Sequence, residues 1–300
     1  MFERVLVTGS SGFVGHHLQR VFPSFYPLED GNGKIDLLEP ERVLKAIRQI
    51  SPDAVIHLAA QSFVQDAFKN PLYTFNVNFI GTLNLLEGLS KNGFRGKMLY
   101  VSSGDVYGIV PEEKFPVNEL ILPHPRNPYA VSKVAAEALC YQWSQTGPFE
   151  IVIARPFNHI GRGQSRQFAL SDFAYQIVAI SRKKSLPTLH VGDIDVTRDF
   201  TDVRDVVIAY KKLLEQGLNG EVYNVCSGKE YSIRSLLVRL LEIPKCEAEI
   251  VQDQNRFRPS EQRRMKGDFS KIHALTGWLP QIDIEESLRE LLAGGMEDNG

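Results

Sequence analysis

A glycine-rich turn follows a short apolar run at the start of the chain. Gly9, Gly12 and Gly15 come directly after Val5-Leu6-Val7, and this run predicts the buried first strand of a parallel sheet. Because glycine has no Cβ, such a turn can approach a pyrophosphate closely and direct the N–H groups of the following helix at it. A tight connection from a strand to a helix also needs glycine, so the glycines alone leave both interpretations open.

Apolar runs alternate with helical patterns through the first half of the chain. We predict strands at 4–8, 25–28, 54–58, 97–101 and 150–154, and helices at 12–22, 39–49, 73–89 and 128–145. Continuous Val, Ile and Leu content suits parallel strands that are covered by helices on both faces. This order predicts an α/β fold with a Rossmann-type, doubly wound parallel sheet.

The pattern becomes less regular after Arg155-Pro156. Short strands are predicted at 188–191 and 221–225, helices at 203–216, 232–242 and 284–292, and an irregular, arginine-rich loop at 255–267. We therefore assign residues 1–155 to a dinucleotide-binding domain. Residues 156–300 are expected to form mainly a smaller substrate-binding part, interleaved with the last elements of the sheet.

Composition limits the classes of function. The chain has 34 Lys and Arg against 36 Asp and Glu and no basic block, so we expect no nucleic-acid partner. No run approaches ~18 consecutive apolar residues, and the N-terminus lacks a signal-peptide pattern, which predicts a cytoplasmic protein without membrane contact. Cys140, Cys226 and Cys246 show no metal-ligand spacing, so neither a metal site nor a disulfide framework is expected.

A tyrosine and a lysine stand one helical turn apart in the predicted helix 128–145. At positions i and i+4, Tyr129 and Lys133 share one face, where the ammonium can contact both a phenol and a bound ribose. We expect this cation to lower the pKa of Tyr129, which would give a proton to a carbonyl oxygen while hydride reaches the carbon. Ser103, at the end of the fourth predicted strand, would bond the same oxygen. Considered alone, the pair also suits an ordinary surface helix.

In this order, the motifs resemble the extended short-chain dehydrogenase/reductase family, whose members act on nucleotide sugars as epimerases, 4,6-dehydratases and reductases. The resemblance rests on residues 8–15, 36–37, 57–60, 76–82, 102–108 and 129–133. It implies NADPH or NADH as the cofactor and Ser103, Tyr129 and Lys133 as catalytic residues. The cofactor-binding residues that it implies are Gly9, Ser11, Gly12, Phe13, Val14, Gly15, Asp36, Leu37, Leu58, Ala59, Ala60, Asn78, Tyr129, Lys133 and Phe157. Without the family, Asp36 is equally well an acid at the start of a helix.

The second half is similar to a narrower group, the GDP-mannose 4,6-dehydratases and the GDP-4-keto-6-deoxymannose reductases. Residues 155–161, 198–202 and 256–261 carry that similarity and imply a GDP-sugar substrate. An arginine fork matches phosphate oxygens, so Arg198 and Arg258 are the candidates for the diphosphate. The complete implied substrate-binding set is Ser103, Gly104, Asp105, Asn158, Arg198, Arg258, Pro259, Ser260 and Glu261. Glu261 could accept from a ribose hydroxyl or the guanine edge, or could anchor Arg258.

Asp105 distinguishes two reactions. Dehydratases of this group carry a glutamate two residues after the catalytic serine or threonine, whereas this chain has the shorter aspartate. A misplacement of ~1 Å can lower a rate about a hundredfold, so we expect reduction of the C4 ketone of GDP-4-keto-6-deoxy-D-mannose to GDP-D-rhamnose. The alternatives are GDP-mannose 4,6-dehydration, another epimerase or reductase, or a stabilising role of Asp105 in its turn. A non-catalytic dinucleotide sensor would not need Ser103, Tyr129 and Lys133 together.

Two further expectations concern the cofactor and assembly. Glu29 and Asp30 follow the weak second strand and would disfavour a 2′-phosphate, which leaves NADH or NADPH undecided. We expect a homodimer formed through the helix near 79–89 and the Tyr129 helix, because both have apolar residues on more than one face. These residues are Leu83, Leu85, Leu86, Val134, Ala138 and Tyr141.

Overall fold

A six-stranded parallel sheet forms the centre of the computed structural model, which describes residues 2–257 and 262–297. From edge to edge the strands are β11 (Val222–Val225), β7 (Glu150–Pro156), β6 (Lys97–Val101), β5 (Ala54–His57), β1 (Val5–Thr8) and β2 (Phe25–Pro27). The chain goes from β1 to β2 on one side and then resumes at β5 on the other. This reversal places a crevice between β1 and β5 at their carboxyl ends, where such sheets bind ligands.

Helices cover both faces of this sheet. One face packs against α2 (Pro40–Ile50), α5 (Gly81–Lys91) and α6 (Pro128–Thr146), and the other against α1 (Phe13–Leu18), α8 (Val203–Gln216) and α10 (Ser270–Thr276). Along β1, Leu6 enters the first core while Val5 and Val7 enter the second, and all three are fully buried. The predicted doubly wound α/β fold is confirmed.

Other elements of the second half form a separate apolar core. Its helices are α7 (Ala169–Ser181), α9 (Ile233–Glu242) and α11 (Ile284–Glu297). Its strands are β8 (Asn158–Ile160), β9 (Thr188–Val191), β10 (Thr197–Asp202), β12 (Glu230–Ser232) and β13 (Glu249–Gln252). β10 runs parallel to β8 and antiparallel to β12, while β9 pairs with β13. The division of the chain at 155/156 stays a prediction.

The predicted helix 73–89 is interrupted. It consists of α4 (Pro71–Phe75), a π-helical turn (Asn76–Ile80) and α5. Within it, the Thr82 hydroxyl donates to the Asn78 carbonyl at 2.6 Å. Such π turns occur frequently at functional sites, and this one carries Asn78.

The remaining short elements lie in connections. They are the hairpin strands β3 (Glu29–Asp30) and β4 (Gly33–Lys34), the helix α3 (Val64–Lys69), and the 3₁₀ turns Gly104–Tyr107, Glu112–Lys114 and Gln254–Arg256. Among the helices of the described residues, none combines the length and apolarity needed to cross a bilayer.

Candidate active site

A cavity of about 600 Å³ lies at the carboxyl ends of the central strands. The glycine turn after β1 and the segment after β5 line one part of it. Ser103 after β6 and Phe157 after β7 line another. The predicted residues that line this cavity are Gly9, Ser11, Gly12, Phe13, Val14, Gly15, Asp36, Leu37, Leu58, Ala59, Ala60, Ser103, Gly104, Asp105, Tyr129, Lys133, Phe157, Asn158 and Arg198.

Backbone crowding explains the glycines after β1. Gly9 has φ +69°, and a Cβ there would come within 2.8 Å of the Ala59 amide nitrogen. A Cβ at Gly15 would lie 2.2 Å from the Ser10 carbonyl oxygen. A larger residue at position 9 would therefore separate the β1 turn from the segment after β5, and one at position 15 would distort the turn itself.

Asn78 lies behind the cavity wall rather than in it. Its side chain is buried, its Oδ1 accepts from the Gln61 amide at 2.8 Å, and its Nδ2 donates to the Gln61 carbonyl and to Ser132 Oγ. Ser132 in turn donates to the Tyr129 carbonyl at 2.7 Å. Asn78, which the family resemblance places among the cofactor-binding residues, therefore joins the segment after β5 to the helix of Tyr129 and is not among the described residues that line the cavity.

His57, which sequence reasoning did not assign, holds the same wall. The Thr82 hydroxyl donates to Asn78, so it accepts from His57 Nε2–H at 2.9 Å. The other ring nitrogen then accepts from the Thr8 hydroxyl at 2.6 Å, and Thr8 accepts from the Ala59 amide. Burial and then the Lys133 charge lower the pKa of His57 to about 3, so the ring stays neutral.

Helix α6 begins at a cap that fixes the position of Tyr129. The Asn127 side chain accepts from the Ala130 amide at 2.8 Å, and Pro128 occupies the first helical position. Tyr129 and Lys133 are 8% and 3% exposed. The Lys133 ammonium donates to the Val101 carbonyl at 2.7 Å and lies 4.8 Å from the centre of the Tyr100 ring.

The electrostatics of Tyr129 differ from the prediction. Burial raises its pKa above the ordinary value, the Asp105 carboxylate raises it further, and an interaction with the Ser103 hydroxyl opposes both. Burial also lowers the pKa of Lys133 to about 8, against the smaller effects of Cys140 and Glu137. The expectation that Lys133 makes Tyr129 more acidic is wrong, because loss of hydration dominates at this site.

Residues 103–105 bring a hydroxyl and a carboxylate to the cavity. Ser103 Oγ accepts from the Asp105 amide at 3.2 Å and so caps the 3₁₀ turn that follows. A Cβ at Gly104 would lie 3.2 Å from the Phe157 ring, which makes glycine the residue that fits there best. The capped turn places Asp105 close enough to Tyr129 to influence its pKa.

A buried ion pair that the sequence analysis did not assign supports α6 from behind. Glu137, one turn after Lys133, accepts from Arg155 Nε at 2.9 Å and from Arg155 Nη2 at 2.6 Å. The guanidinium also lies 4.8 Å from the centre of the Tyr107 ring. Glu137 follows Tyr129 and Lys133 at the same four-residue spacing, and this shared helix face is the sequence pattern that could have pointed to it.

The second half contributes Asn158 from β8 and Arg198 from β10, and Arg198 donates to the Thr197 carbonyl at 2.7 Å. Its neighbour Asp199 is buried and accepts from Ser227, Gly228 and Gly267. Arg258, Pro259, Ser260 and Glu261 lie outside the described residues.

Other lining residues were not assigned to the site from the sequence. They include Ser102, Arg126, Phe168, Tyr210, Gln262 and Met265. Tyr210 belongs to the apolar face of α8, where its position predicts a core residue. No sequence signal separates it from the valines and leucines around it.

Two buried hydroxyls that line the cavity have no hydrogen-bond partner among the described residues. They belong to Ser102, which is 3% exposed, and Tyr210, which is fully buried. Buried hydroxyls are normally paired, so these two point to a polar ligand. Together with the close approach at Gly9 and Gly15, they fit a nicotinamide dinucleotide.

A family model described as GDP-mannose 4,6 dehydratase matches residues 33–291. The chain belongs to this family. The resemblance to the extended short-chain dehydrogenase/reductases is thereby confirmed. Members of the GDP-mannose 4,6-dehydratase family differ in activity, so individual relatives are informative.

Two of these relatives are named for reactions of GDP-6-deoxy sugars. The chain is 50% identical to the GDP-6-deoxy-D-mannose reductase of Pseudomonas aeruginosa, over 98% of this chain and 97% of that protein. It is 31% identical to the GDP-6-deoxy-D-talose 4-dehydrogenase of Aggregatibacter actinomycetemcomitans, over 91% of each. The solved structure of RMD from Pseudomonas aeruginosa, complexed with NADPH, matches with a TM-score of 0.92 and 48% identity over 99% of both chains.

Proposed function

We propose that the protein is an NADPH-dependent reductase that converts the C4 ketone of GDP-4-keto-6-deoxy-D-mannose to the alcohol of GDP-D-rhamnose. The observation that carries this proposal is the 50% identity to a GDP-6-deoxy-D-mannose reductase along nearly the whole of both chains. A shared cavity that brings Ser103, Tyr129 and Lys133 together with the glycine turn supports the same reaction class.

The catalytic residues have distinct roles in this proposal. The nicotinamide cofactor, when bound, supplies the hydride. Tyr129 gives its proton to the ketone oxygen, and its raised pKa keeps that proton on the phenol until it is needed. Ser103 donates a hydrogen bond to the same oxygen. Lys133 supplies positive charge beside the cofactor and the reacting oxygen.

The Asp105 carboxylate favours reduction over dehydration. Its negative charge raises the pKa of Tyr129, so the tyrosine is held in the acid form that a ketone reduction consumes. The related dehydratases carry a carboxylate base one methylene longer at this position, so the shorter Asp105 counts against dehydration. The competing candidate, GDP-mannose 4,6-dehydration, has the family description and more distant relatives of that name, 26–28% identical, in its support.

The remaining cavity residues are proposed to bind cofactor and substrate. The stretches 9–15, 36–37 and 58–60, with Phe157, would bind the cofactor. Gly104, Asn158 and Arg198 would bind the GDP-sugar, together with the stretch 258–261. Arg198 supports this assignment because it lies on the wall that the second half of the chain contributes.

The acidic residues after β2 do not oppose an NADPH preference as strongly as their charges suggest. Asp30 accepts from Arg42 Nε and Nη2, both at 3.0 Å, so its charge is compensated. Neither Glu29 nor Asp30 is among the described residues that line the cavity. A 2′-phosphate would therefore meet little uncompensated negative charge from this segment.

We further propose that the two halves divide near 155/156 into cofactor-binding and mainly substrate-binding parts. We also propose a cytoplasmic homodimer. Free cysteines at 140, 226 and 246 suit a reducing compartment. Exposed apolar residues on α4 and α6, including Tyr73, Val131 and Tyr141, support an interface.

Product stoichiometry tests the proposed reaction. With purified GDP-4-keto-6-deoxy-D-mannose and NADPH, the protein should oxidise one cofactor per sugar and form a 6-deoxy product two mass units heavier than the ketone. With GDP-mannose and NADP⁺ it should form no keto sugar. Efficient conversion of GDP-mannose without net change in the cofactor would contradict the proposal and assign Asp105 as the base.

A further inference from the structure

Tyr210 brings a hydroxyl to the cavity from the face of the sheet opposite to α6, the helix that carries Tyr129 and Lys133. The residue lies on α8, packs with Val5, Val7 and Leu99, and is fully buried. Tyr129 lies on α6, which packs on the other face. Tyr210 therefore reaches the cavity from one face of the central sheet, and Tyr129 reaches it from the other face.

The Tyr210 side chain lines the same cavity as Ser103, Tyr129 and Lys133. Burial raises its pKa, and the Tyr129 phenol adds to that increase, so the two groups are electrostatic neighbours. The other unpartnered hydroxyl of the wall belongs to Ser102, directly before the catalytic Ser103. The glycine turn, which suits a pyrophosphate, belongs instead to the segment after β1.

The hydrogen-bonding capacity of the Tyr210 and Ser102 hydroxyls indicates which part of a cofactor they would bind. Tyr210 stays protonated and can donate, while the Ser102 hydroxyl can either donate or accept. A phosphate offers acceptors only. A carboxamide offers a carbonyl acceptor and two N–H donors on one small planar group, which matches one donating hydroxyl and one accepting hydroxyl.

We infer that the Tyr210 and Ser102 hydroxyls bind the carboxamide of the nicotinamide ring and thereby restrict rotation of the ring beside Tyr129. This inference rests on the proposed NADPH-dependent function and assigns two residues of this chain to it. Tyr210 is a cofactor-positioning residue in this assignment, since it need not touch the sugar.

The test compares two ligands that differ only in the nicotinamide. Dissociation constants of NADPH and of 2′-phospho-ADP-ribose are measured by calorimetry for wild type, Tyr210→Phe and Ser102→Ala. Each variant should weaken NADPH binding about threefold to tenfold, the usual effect of one neutral hydrogen bond, and leave binding of the fragment unchanged. Tyr223→Phe is the matched control, because Tyr223 is buried in the same core and its hydroxyl accepts from the Leu218 amide.

Thermal unfolding without ligand separates positioning from a structural role. Removing an unpaired buried hydroxyl should leave the Tm of Tyr210→Phe equal to or above that of wild type, while the increase in Tm caused by NADPH becomes smaller. A lower Tm without ligand, with an unchanged increase on NADPH addition, would overturn the inference.

The ligand comparison also distinguishes this inference from the proposed function. Equal affinities of wild type and both variants for NADPH would overturn the inference alone, as would equal weakening for NADPH and the fragment. A wild-type protein that binds neither ligand would overturn both.

Discussion

At the scale of single residues, burial moves Tyr129 and Lys133 toward their neutral forms. The pKa of the phenol rises and the pKa of the ammonium falls to about 8, in each case mainly because the charged form loses hydration. The tyrosine thus stays protonated, whereas the lysine can lose its charge within the pH range in which enzymes are assayed. These opposite consequences lead to two separate predictions.

Replacing Tyr129 with phenylalanine should remove the proton donor and preserve the helix face. We expect kcat for reduction to fall about 10²–10⁴-fold, the usual contribution of a general acid, while NADPH binding is retained. Stopped-flow measurement of cofactor oxidation and a separate binding titration check both parts. A variant that keeps more than about a tenth of the wild-type kcat would remove Tyr129 from this role.

The charge of Lys133 should make cofactor binding depend on pH. Its pKa of about 8 is set by burial beside the Val101 carbonyl, the Tyr100 ring, Cys140, Glu137 and a neutral His57. Above pH 8 the free enzyme loses this cation, and at pH 9 only about a tenth of the molecules keep it, so the Kd of the anionic cofactor should rise between pH 7 and pH 9.

Titrations of NADPH binding across that range measure this effect, and Lys133→Met is the comparison. Removing the ammonium should weaken binding at pH 7 and abolish most of the change above pH 8. An identical pH profile in wild type and Lys133→Met would show that another group controls the titration.

At the scale of elements, the sequence correctly predicted the strands and helices whose residues follow a single regular pattern of buried and exposed positions. Strands β6 and β9 and helix α8 have the predicted bounds, because continuous apolar runs and a regular apolar face are read without tertiary information. β10 was not predicted. It contains charged residues, and the buried Asp199 there accepts from three distant backbone amides and from the Ser227 hydroxyl.

The same limit applies to the candidate site. The glycine turn and the Tyr129–Lys133 spacing are local patterns, so both could be found in the sequence. His57 lies in an apolar strand, and its hydrogen bonds to Thr8 and Thr82 depend on residues that are distant in sequence. Lys133 also required the structure, because spacing shows that it shares a helix face with Tyr129 but not how far burial changes the pKa of either residue.

The ion pair between α6 and β7 leads to a stability prediction. Arg155→Met leaves Glu137 buried and unpaired, and should lower the free energy of unfolding by about 3–5 kcal/mol. The double variant Arg155→Met with Glu137→Gln should recover part of that loss, because no unpaired charge remains. Urea unfolding of both variants at pH 7 measures the difference.

Arg234→Met is the matched control for this experiment. Arg234 also bonds a carboxylate through two nitrogens, to Asp195 at 2.7 and 2.9 Å, but both side chains are about half exposed. Its replacement should change the free energy of unfolding by about 1 kcal/mol or less. Equal losses in Arg155→Met and Arg234→Met would mean that burial of the α6 pair has no special energetic consequence.

At the scale of the whole molecule, the apolar surface is uneven. Leu85 and Leu86, which the sequence analysis assigned to a possible interface, are fully buried against the central sheet, because α5 turns that face inward. Apolar side chains remain exposed on the neighbouring elements α4, the π turn and α6: Leu72, Tyr73, Ile80, Val131 and Tyr141 are between 37% and 71% exposed. The proposed interface therefore shifts from the Leu85 face to this surface.

A charge at Val131 on this surface should separate the proposed dimer. Val131→Glu would place a carboxylate against apolar residues of the partner, and its desolvation without a paired cation opposes association. Val238→Glu on α9 is a close control, because both valines are 42% exposed on helices. Sedimentation at micromolar concentration should give a dimer for wild type and Val238→Glu and a monomer for Val131→Glu. A monomeric wild type would exclude the dimer. If the Val131→Glu variant stays dimeric, the interface lies on another face, because an interface that buries residue 131 would not tolerate an unpaired carboxylate there.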